Sequence, residues 1–381
     1  MNLLPTEDQE LLRRTVREFA EAEIRPYVRA WDEAQAFSSE LLPKLAAHGL
    51  MGIQVPEAYG GAGLSAMDYC ICIEELARVD PSVALSVAAH NGLCVSHLAA
   101  FGSEAQKQSF LVPLARGEKL GAWGLTEASA GSDAAAMLTV ATRSGTDWVL
   151  NGSKQFITHG RIGHTIVAMA VTDRAKGRHG ISAFVIARGT PGFLAGKKED
   201  KLGMRASDTS EVIFTDCRVP ADAVVGVEGE GFVNTLQVLD AGRIGIAALA
   251  VGLAQGAYEA AAAYARQRRQ FGQPIAHYQA IRWKLADMWT EIEAARLLTY
   301  RAAWLRDARV DRISAESSYA KLYSSEIAVR AAEECVQIHG GYGFVKDYPA
   351  EKFFRDVKLC TIGEGTSEIQ RLVIARQLLG R

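Results

Sequence analysis

The stretch QIHGGYGFVKDYPAEKFFRDVKLCTIGEGTSEIQR, residues Gln337 to Arg371, links two segments of helical period through glycine-rich turns. Glu364 stands between Gly363 and Gly365, so no neighbouring Cβ shields its carboxylate and the backbone can come close to whatever it serves. Thr366 then offers an N-cap hydroxyl, and Ser367 to Leu379 carries Ile369, Leu372, Ile374 and Leu378 close to helical spacing. The pattern sets a carboxylate just ahead of a helix N-terminus. Taken alone, it also describes a helix-entry loop with a solvated glutamate.

Working outward, the chain divides by texture. Thr6 and Gln9 form a capping box, and Leu12, Val16, Phe19 and Ile24 make one apolar stripe before Pro26. Helical patterns follow at Ser39 to His48 and at Ser65 to Val79, and Ser103 with Gln106 makes a further capping box. The loop VPEAYGGAGL, Val55 to Leu64, lies between them. These patterns predict an N-terminal α-helical domain at 1–120. From Leu120 short β-branched or aromatic runs take over, among them Thr165-Ile-Val-Ala-Met-Ala-Val and Ile181-Ser-Ala-Phe-Val-Ile, punctuated by Gly, Asn, Asp and Pro. They predict a middle antiparallel β domain, sheet or barrel, at 121–228. From Gly231 the helical period returns; the Ala-rich segment through Ala265 implies a helix with closely packed neighbours, and further helices at about 278–307, 313–338 and 366–379 complete a C-terminal four-helix bundle at 229–381. The fold class read from the sequence is therefore α+β.

The totals narrow the function. A chain of 381 residues exceeds what one core usually organises. A formal charge of -2 gives no electrostatic case for nucleic acid. The six cysteines include no C-x-x-C pair and the eight histidines no H-x-x-x-H or H-E-x-x-H spacing, so no metal site is expected. The first ten residues, MNLLPTEDQE, carry acid where a signal peptide carries base, and the apolar run Ile244 to Ala254 is about half of the ~20 residues a membrane span needs. The expected location is cytoplasmic.

Several loops carry chemistry-bearing patterns. In GLTEASAGSD, Gly124 to Asp133, a strand-like start runs into small residues, leaving backbone N–H groups and the Thr126 and Ser132 hydroxyls free to face an anion or a flat heterocycle. GSKQFITHG, Gly152 to Gly160, offers an aromatic and a hydroxyl at Phe156 and Thr158, or simply an edge strand with a core Phe. RRQFG, Arg268 to Gly272, sets cations at a helix end, where they also answer the helix dipole.

Together these stretches, in this order, resemble the acyl-CoA dehydrogenases across nearly the whole chain. Gln337, Gly340-Gly341, Gly343, Arg355-Asp356 and Glu364-Gly365-Thr366 match the C-terminal signature of that family, and Gly124 to Asp133 the N-terminal one. The resemblance implies one FAD per subunit in a homotetramer, with Glu364 as catalytic base. It implies that Trp123, Leu125, Thr126 and Ser132 line the flavin, joined by Phe156, where relatives often carry Trp, and by Thr158, Thr366 and Glu368. Arg268, Gln270 and Phe271, with Gln337, Gly340 and Gly341, are implied to reach a neighbouring subunit's FAD. Ser132, Asp240, Arg243, Gly365 and Arg376 match positions that face acyl-CoA.

The function implied is FAD-dependent removal of the α and β hydrogens of a saturated acyl-CoA, giving the trans-2-enoyl product and passing electrons to an electron-transfer flavoprotein. Some relatives keep the base on the long helix just before the arginine; here that residue is Gly242, which leaves Glu364. The alternative is an acyl-CoA oxidase or other flavoenzyme on the same fold, and beyond that a flavin-free helical interaction protein. Gly363, in place of a bulky Tyr, implies a wider pocket, LDAGRIGIAA looks closest to short-chain members, and Ser82-Val-Ala-Leu-Ser lacks the arginine that a distal carboxylate requires.

Overall fold

The computed structural model describes residues 5–380; Met1 to Leu4, part of the acidic leader reading and of the N-terminal domain, and the terminal Arg381 lie outside the described residues. Helices come first: α1 (Glu7–Glu23), α2 (Val28–Ala34), α3 (Leu41–Ala47), α4 (Ala66–Val79), α5 (Pro81–Ala89), α6 (Ser96–Phe101), α7 (Glu104–Gln106) and α8 (Val112–Ala115). Their starts are chemically marked. Thr6, Ser65 and Ser103 each close a reciprocal capping box, satisfying backbone donors that the first turn leaves open.

The strands follow as β1 (Gly121–Gly124), β2 (Val140–Ser144), β3 (Asp147–Thr158), β4 (Thr165–Val171), β5 (Ile181–Ala187), β6 (Phe193–Lys198), β7 (Thr209–Val219) and β8 (Val224–Val225). They form one sheet in the order β6-β7-β3-β2-β4-β5-β8, with β1 paired to β4. Two pairings depart from the antiparallel expectation: β1 runs parallel to β4, Gly121 opposite Thr165, and β2 meets β4 in parallel at Val140 and Val171. The long excursion through β2 and β3 supplies the crossover that a parallel pair requires. β4 is buried along its whole length because Ile166, Ala168 and Ala170 face one apolar cluster and Val167, Met169 and Val171 another, which explains its unbroken apolar sequence.

After Gly231 the chain is helical again: α9 (Gly231–Gln267), α10 (Gln279–Asp307), α11 (Ser314–His339), α12 (Ala350–Asp356) and α13 (Ser367–Leu379). Helix gives way to strand between Ala115 and Gly121 and returns between Val225 and Gly231, and we propose the divisions near 120 and 228 on that change. The core does not stop at these divisions. One buried cluster runs from Val16 and Phe19 through Leu76 and Leu249 to Val357, so N-terminal helices and C-terminal bundle share an interior.

α9 is the spine of that interior. Gly242, Gly245, Gly252 and Gly256 fall on one side of it, and their missing side chains let α4 and the Glu364 loop press against the helix. A Cβ added at Gly252 would lie 2.1 Å from the Glu74 carbonyl oxygen, and one at Gly256 2.3 Å from that of Arg78. Two stretches, Pro81–Phe101 and Gly231–Gln267, are long and apolar enough to cross a membrane, which the apolar-run reading missed; most of each is packed inside the protein.

Buried ion pairs sew the layers together. The Lys352 ammonium sits 2.8 Å from Asp80, the N-cap of α5, and 2.5 Å from Asp356, which also accepts the Met204 N–H at 2.6 Å. Arg355 bridges Asp32 and Glu351. Lys352, Arg355 and Asp356 thus tie α12 to α5, to α2 and to the loop after β6.

Gly252→Ala is expected to cost about 1–3 kcal/mol through overpacking against α4, read as a lower midpoint in denaturant unfolding, whereas Ala→Gly at a solvent-facing site such as Ala263 of the same helix should cost only about 1 kcal/mol in propensity.

Candidate active site

Glu364 lies in the turn between Val357–Thr361, a short 3-10 segment, and α13. Its φ is 53° and that of Gly365 is 95°, a left-handed pair. For a residue with a Cβ this conformation costs roughly 1–2 kcal/mol and persists only where the surroundings enforce it. The enforcement is visible. The Gln370 amide donates to the Glu364 carbonyl at 3.3 Å and to that of Gly365 at 3.0 Å, the Lys321 ammonium donates to the Gly365 carbonyl at 2.7 Å, and Thr366 caps α13 through the Ile369 N–H.

This turn drives the carboxylate inward. Glu364 Oε2 is shut off from solvent without a hydrogen-bond partner among the described residues, although the residue as a whole is half-buried. It rests directly on α9: a Cβ at Gly242 would be 2.1 Å from Oε2. Any side chain at 242 would therefore displace the carboxylate. Burial pushes the Glu364 carboxyl up to about 7, while Lys321 and then Arg243 pull it down. A carboxylate poised near neutrality is suited to taking and returning a proton.

The structure brings several of the expected substrate positions to this point and leaves others apart. Arg243 is buried, bonded to Asp240, which also accepts the Ser314 hydroxyl at 2.5 Å; the Arg243 Nε has no partner among the described residues. Gly365 closes the turn itself. Arg376 is exposed toward the end of α13, lining a shallow concavity with Leu372, Ala375 and Leu379. Glu368 is exposed in the first turn of α13.

The expected flavin positions fall on the sheet. Trp123 and Leu125 are buried at the end of β1, Trp123 donating to His97 Nδ1 at 3.2 Å. Thr126 is half-buried and its carbonyl accepts the Gln155 N–H at 2.8 Å, which sets it beside Phe156. There the β3–β7 register slips between Lys154 and Ile157, and Phe156 adopts φ 60°. The bulge turns the phenyl ring out, 63% exposed, instead of into the core. Thr158 is half-buried two residues on, and Ser132 is exposed. Glu127 holds the neck of the loop between, accepting the Leu138 and Thr139 N–H groups at 2.6 and 3.0 Å and the buried Lys154 ammonium at 2.7 Å.

These residues fit a flavin: a projecting aromatic ring, flanking hydroxyls, and Gly131 and Ser132 N–H groups without acceptors among the described residues suit a flat heterocycle with polar edges and a phosphate tail. The remaining positions form a separate exposed group. Arg268 lies over the Tyr342 ring at 5.5 Å, next to Gly340 and Gly341, with Gln337 and Gln270 exposed and Phe271 96% exposed.

Sequence reasoning missed Lys321, Tyr69, Gln370, Glu127 and Lys154. A lysine on a helix reads as surface, yet Lys321 is flanked at helical spacing by Ser317, Ser318, Ser324 and Ser325, and that run of small residues is the signal of a buried face.

Three acyl-CoA dehydrogenase domain families match the chain: the N-terminal domain over residues 6–118, the middle domain over 122–217 and the C-terminal domain over 229–379. The chain is 47% identical over 373 residues to the short-chain specific acyl-CoA dehydrogenase of Clostridium acetobutylicum, covering 98% of each. The butyryl-CoA dehydrogenase structure from Megasphaera elsdenii superposes with a TM-score of 0.97 at 42% identity over 100% of both chains. A chain of the structure reported as the electron transferring flavoprotein of Acidaminococcus fermentans, concerned with flavin-based electron bifurcation, gives 0.98 at 44% identity, again over 100% of both. With all three domain families matched in order and identity near one half over nearly its full length, this chain belongs to the acyl-CoA dehydrogenase family.

Proposed function

We propose that the protein catalyses FAD-dependent α,β-dehydrogenation of saturated acyl-CoA thioesters to trans-2-enoyl-CoA, with Glu364 as the base and an electron-transfer flavoprotein as acceptor. The observation that carries the reading is the Glu364 carboxylate: buried, without a hydrogen-bond partner at Oε2 among the described residues, with a pKa raised to about 7, and seated on a glycine that leaves it room. Family membership and the resemblance to short-chain and butyryl-CoA enzymes support the substrate class.

A thioester α-proton is a weak acid, so the site has to remove it while stabilising the enolate that develops. A flavin held there would supply the two-electron oxidant for the β-hydrogen. Glu364 takes the α-proton at its carboxylate and is the better base for its burial. The Glu364 backbone N–H, which has no acceptor among the described residues, is available to polarise the thioester carbonyl. Arg243, fixed by Asp240 and with no partner for its Nε among the described residues, would meet acyl-CoA. Phe156, Thr126, Thr158 and Ser132 would hold the flavin, with Trp123 and Leu125 buried behind them and Thr366 and Glu368 as further contacts. Arg268, Gln270, Phe271, Gln337, Gly340 and Gly341 complete a neighbouring subunit's FAD in a homotetramer, a role supported by their shared exposure. Arg376 meets the far end of CoA. We also propose a cytoplasmic location, in keeping with the bacterial relatives.

Glu364→Gln keeps size and backbone N–H but removes the basic atom. It should retain flavin and acyl-CoA binding while slowing flavin reduction by substrate at least roughly 10²- to 10⁴-fold, followed as bleaching of the flavin band in a stopped-flow cell; reduction within a few-fold of wild type would remove Glu364 as base. Lys154→Met should loosen the loop that Glu127 ties and lower flavin retention on gel filtration, with the fold kept by far-UV circular dichroism. On substrates, kcat/KM is expected to be higher for butyryl-, isovaleryl- or octanoyl-CoA than for glutaryl-CoA, because Ser82 to Ser86 presents no cation to a distal carboxylate.

A further inference from the structure

Lys321 is fully buried on α11; among the described residues its ammonium has one hydrogen-bond acceptor, the Gly365 carbonyl at 2.7 Å, and no carboxylate within ion-pair distance. Burying a lysine without a counter-charge is costly, and a neutral donor would satisfy one carbonyl at far less desolvation cost. The bond nonetheless goes to the residue that follows the base, closing the left-handed turn that sets Glu364 on Gly242.

We propose that Lys321 is a positioning residue for Glu364: its buried ammonium fixes the turn that aims the carboxylate, and its charge biases that carboxylate toward the anion. The inference rests on Glu364 being the base.

The surrounding charges favour Lys321 over its neighbours in this role. Glu364 is faced by Arg243 from α9, by Tyr69 from α4 and, behind Tyr69, by Arg306 of α10. Lys321 is faced by Cys360, Glu364, Arg243 and, from α13, Glu368. Arg243 is bonded to Asp240, which offsets its charge, whereas the Lys321 charge has no such partner. Lys321 is the largest of the influences that oppose burial at Glu364, and burial holds Lys321 itself down to about 8. Below that value the ammonium is mostly charged, so it acts on Glu364 through the midpoint of the base's titration.

The test uses flavin-loaded wild type, Lys321→Gln and Lys321→Met, with kcat/KM for an uncharged short-chain acyl-CoA measured against pH, or the single-turnover rate where turnover is too slow. Wild type should gain activity as pH rises through about 7, as Glu364 ionises. In both variants the acid limb should move up by about one pH unit. The plateau should fall by about 10- to 100-fold in Lys321→Met, from misplacement of the base, and by less in Lys321→Gln, which keeps a donor for the Gly365 carbonyl. An unmoved acid limb in either folded, flavin-loaded variant overturns the inference; should Lys321→Met not fold, the limb of Lys321→Gln decides. Glu364→Gln separates the two readings. If it is inactive while the Lys321 variants keep the wild-type limb, only the role of Lys321 falls; if it is active, the base and its positioning residue fall together.

Discussion

Everything in this molecule leans on one side of α9, where side chains are missing at Gly242, Gly245, Gly252 and Gly256. Close approach of two helix backbones multiplies dispersion contacts and excludes water, and here it brings the Glu74 and Arg78 carbonyls of α4 against the backbone of α9. The same stripe continues to the reactive end. Gly252 and Gly256 admit α4, Gly245 admits the Tyr69 hydroxyl, and Gly242 admits the Glu364 carboxylate. Packing and chemistry are two stretches of one groove, so the base is held by the feature that holds the fold.

A carboxylate in such a groove faces opposed demands. Burial favours its neutral form, and a direct ion pair would abolish its basicity by stabilising the anion too well. The arrangement lies between these limits. Two cations stand near Glu364 but neither reaches salt-bridge distance, and one of them is already engaged by Asp240. Contrast Lys352, enclosed by Asp80 and Asp356 and held above the usual lysine range, burial notwithstanding: that site is built to stay charged and to tie three segments together. The two buried lysines differ in what surrounds them.

Much of the fold was legible because it is locally written. Capping residues at Thr6, Ser65 and Ser103, the apolar period of the helices and the unbroken run of β4 each act over a few residues. The parallel pairing of β1 with β4 was not, since nothing in Gly121 to Gly124 states which strand lies alongside or in which direction. For the site, Glu364 between two glycines was readable from the chain; the groove that receives it was not, because it takes α4, α9 and α11 together. Phe156 illustrates the middle case. Its identity and place in order suggested a flavin contact, but the positive φ and the register slip that expose the ring belong to the β3–β7 pairing. Lys321 escaped notice for a plain reason: a lone lysine is usually solvated, and only its serine neighbours betray the burial.

The shared interior has a consequence for how the chain comes into being. α4 buries against α9 and α10, more than 150 residues further along, and α1 packs on α4, so during synthesis from the N-terminus α4 emerges with its apolar face bare. The sheet is different, because most of its two clusters lie within the strands and the helices just before them. The nascent chain therefore completes its centre before its beginning, and the first hundred residues wait for the last. Non-local closure of this kind slows folding and prolongs the exposure of apolar surface. An organism making this protein in quantity has reason to keep a chaperone near the ribosome exit, for the N-terminal helices rather than for the sheet.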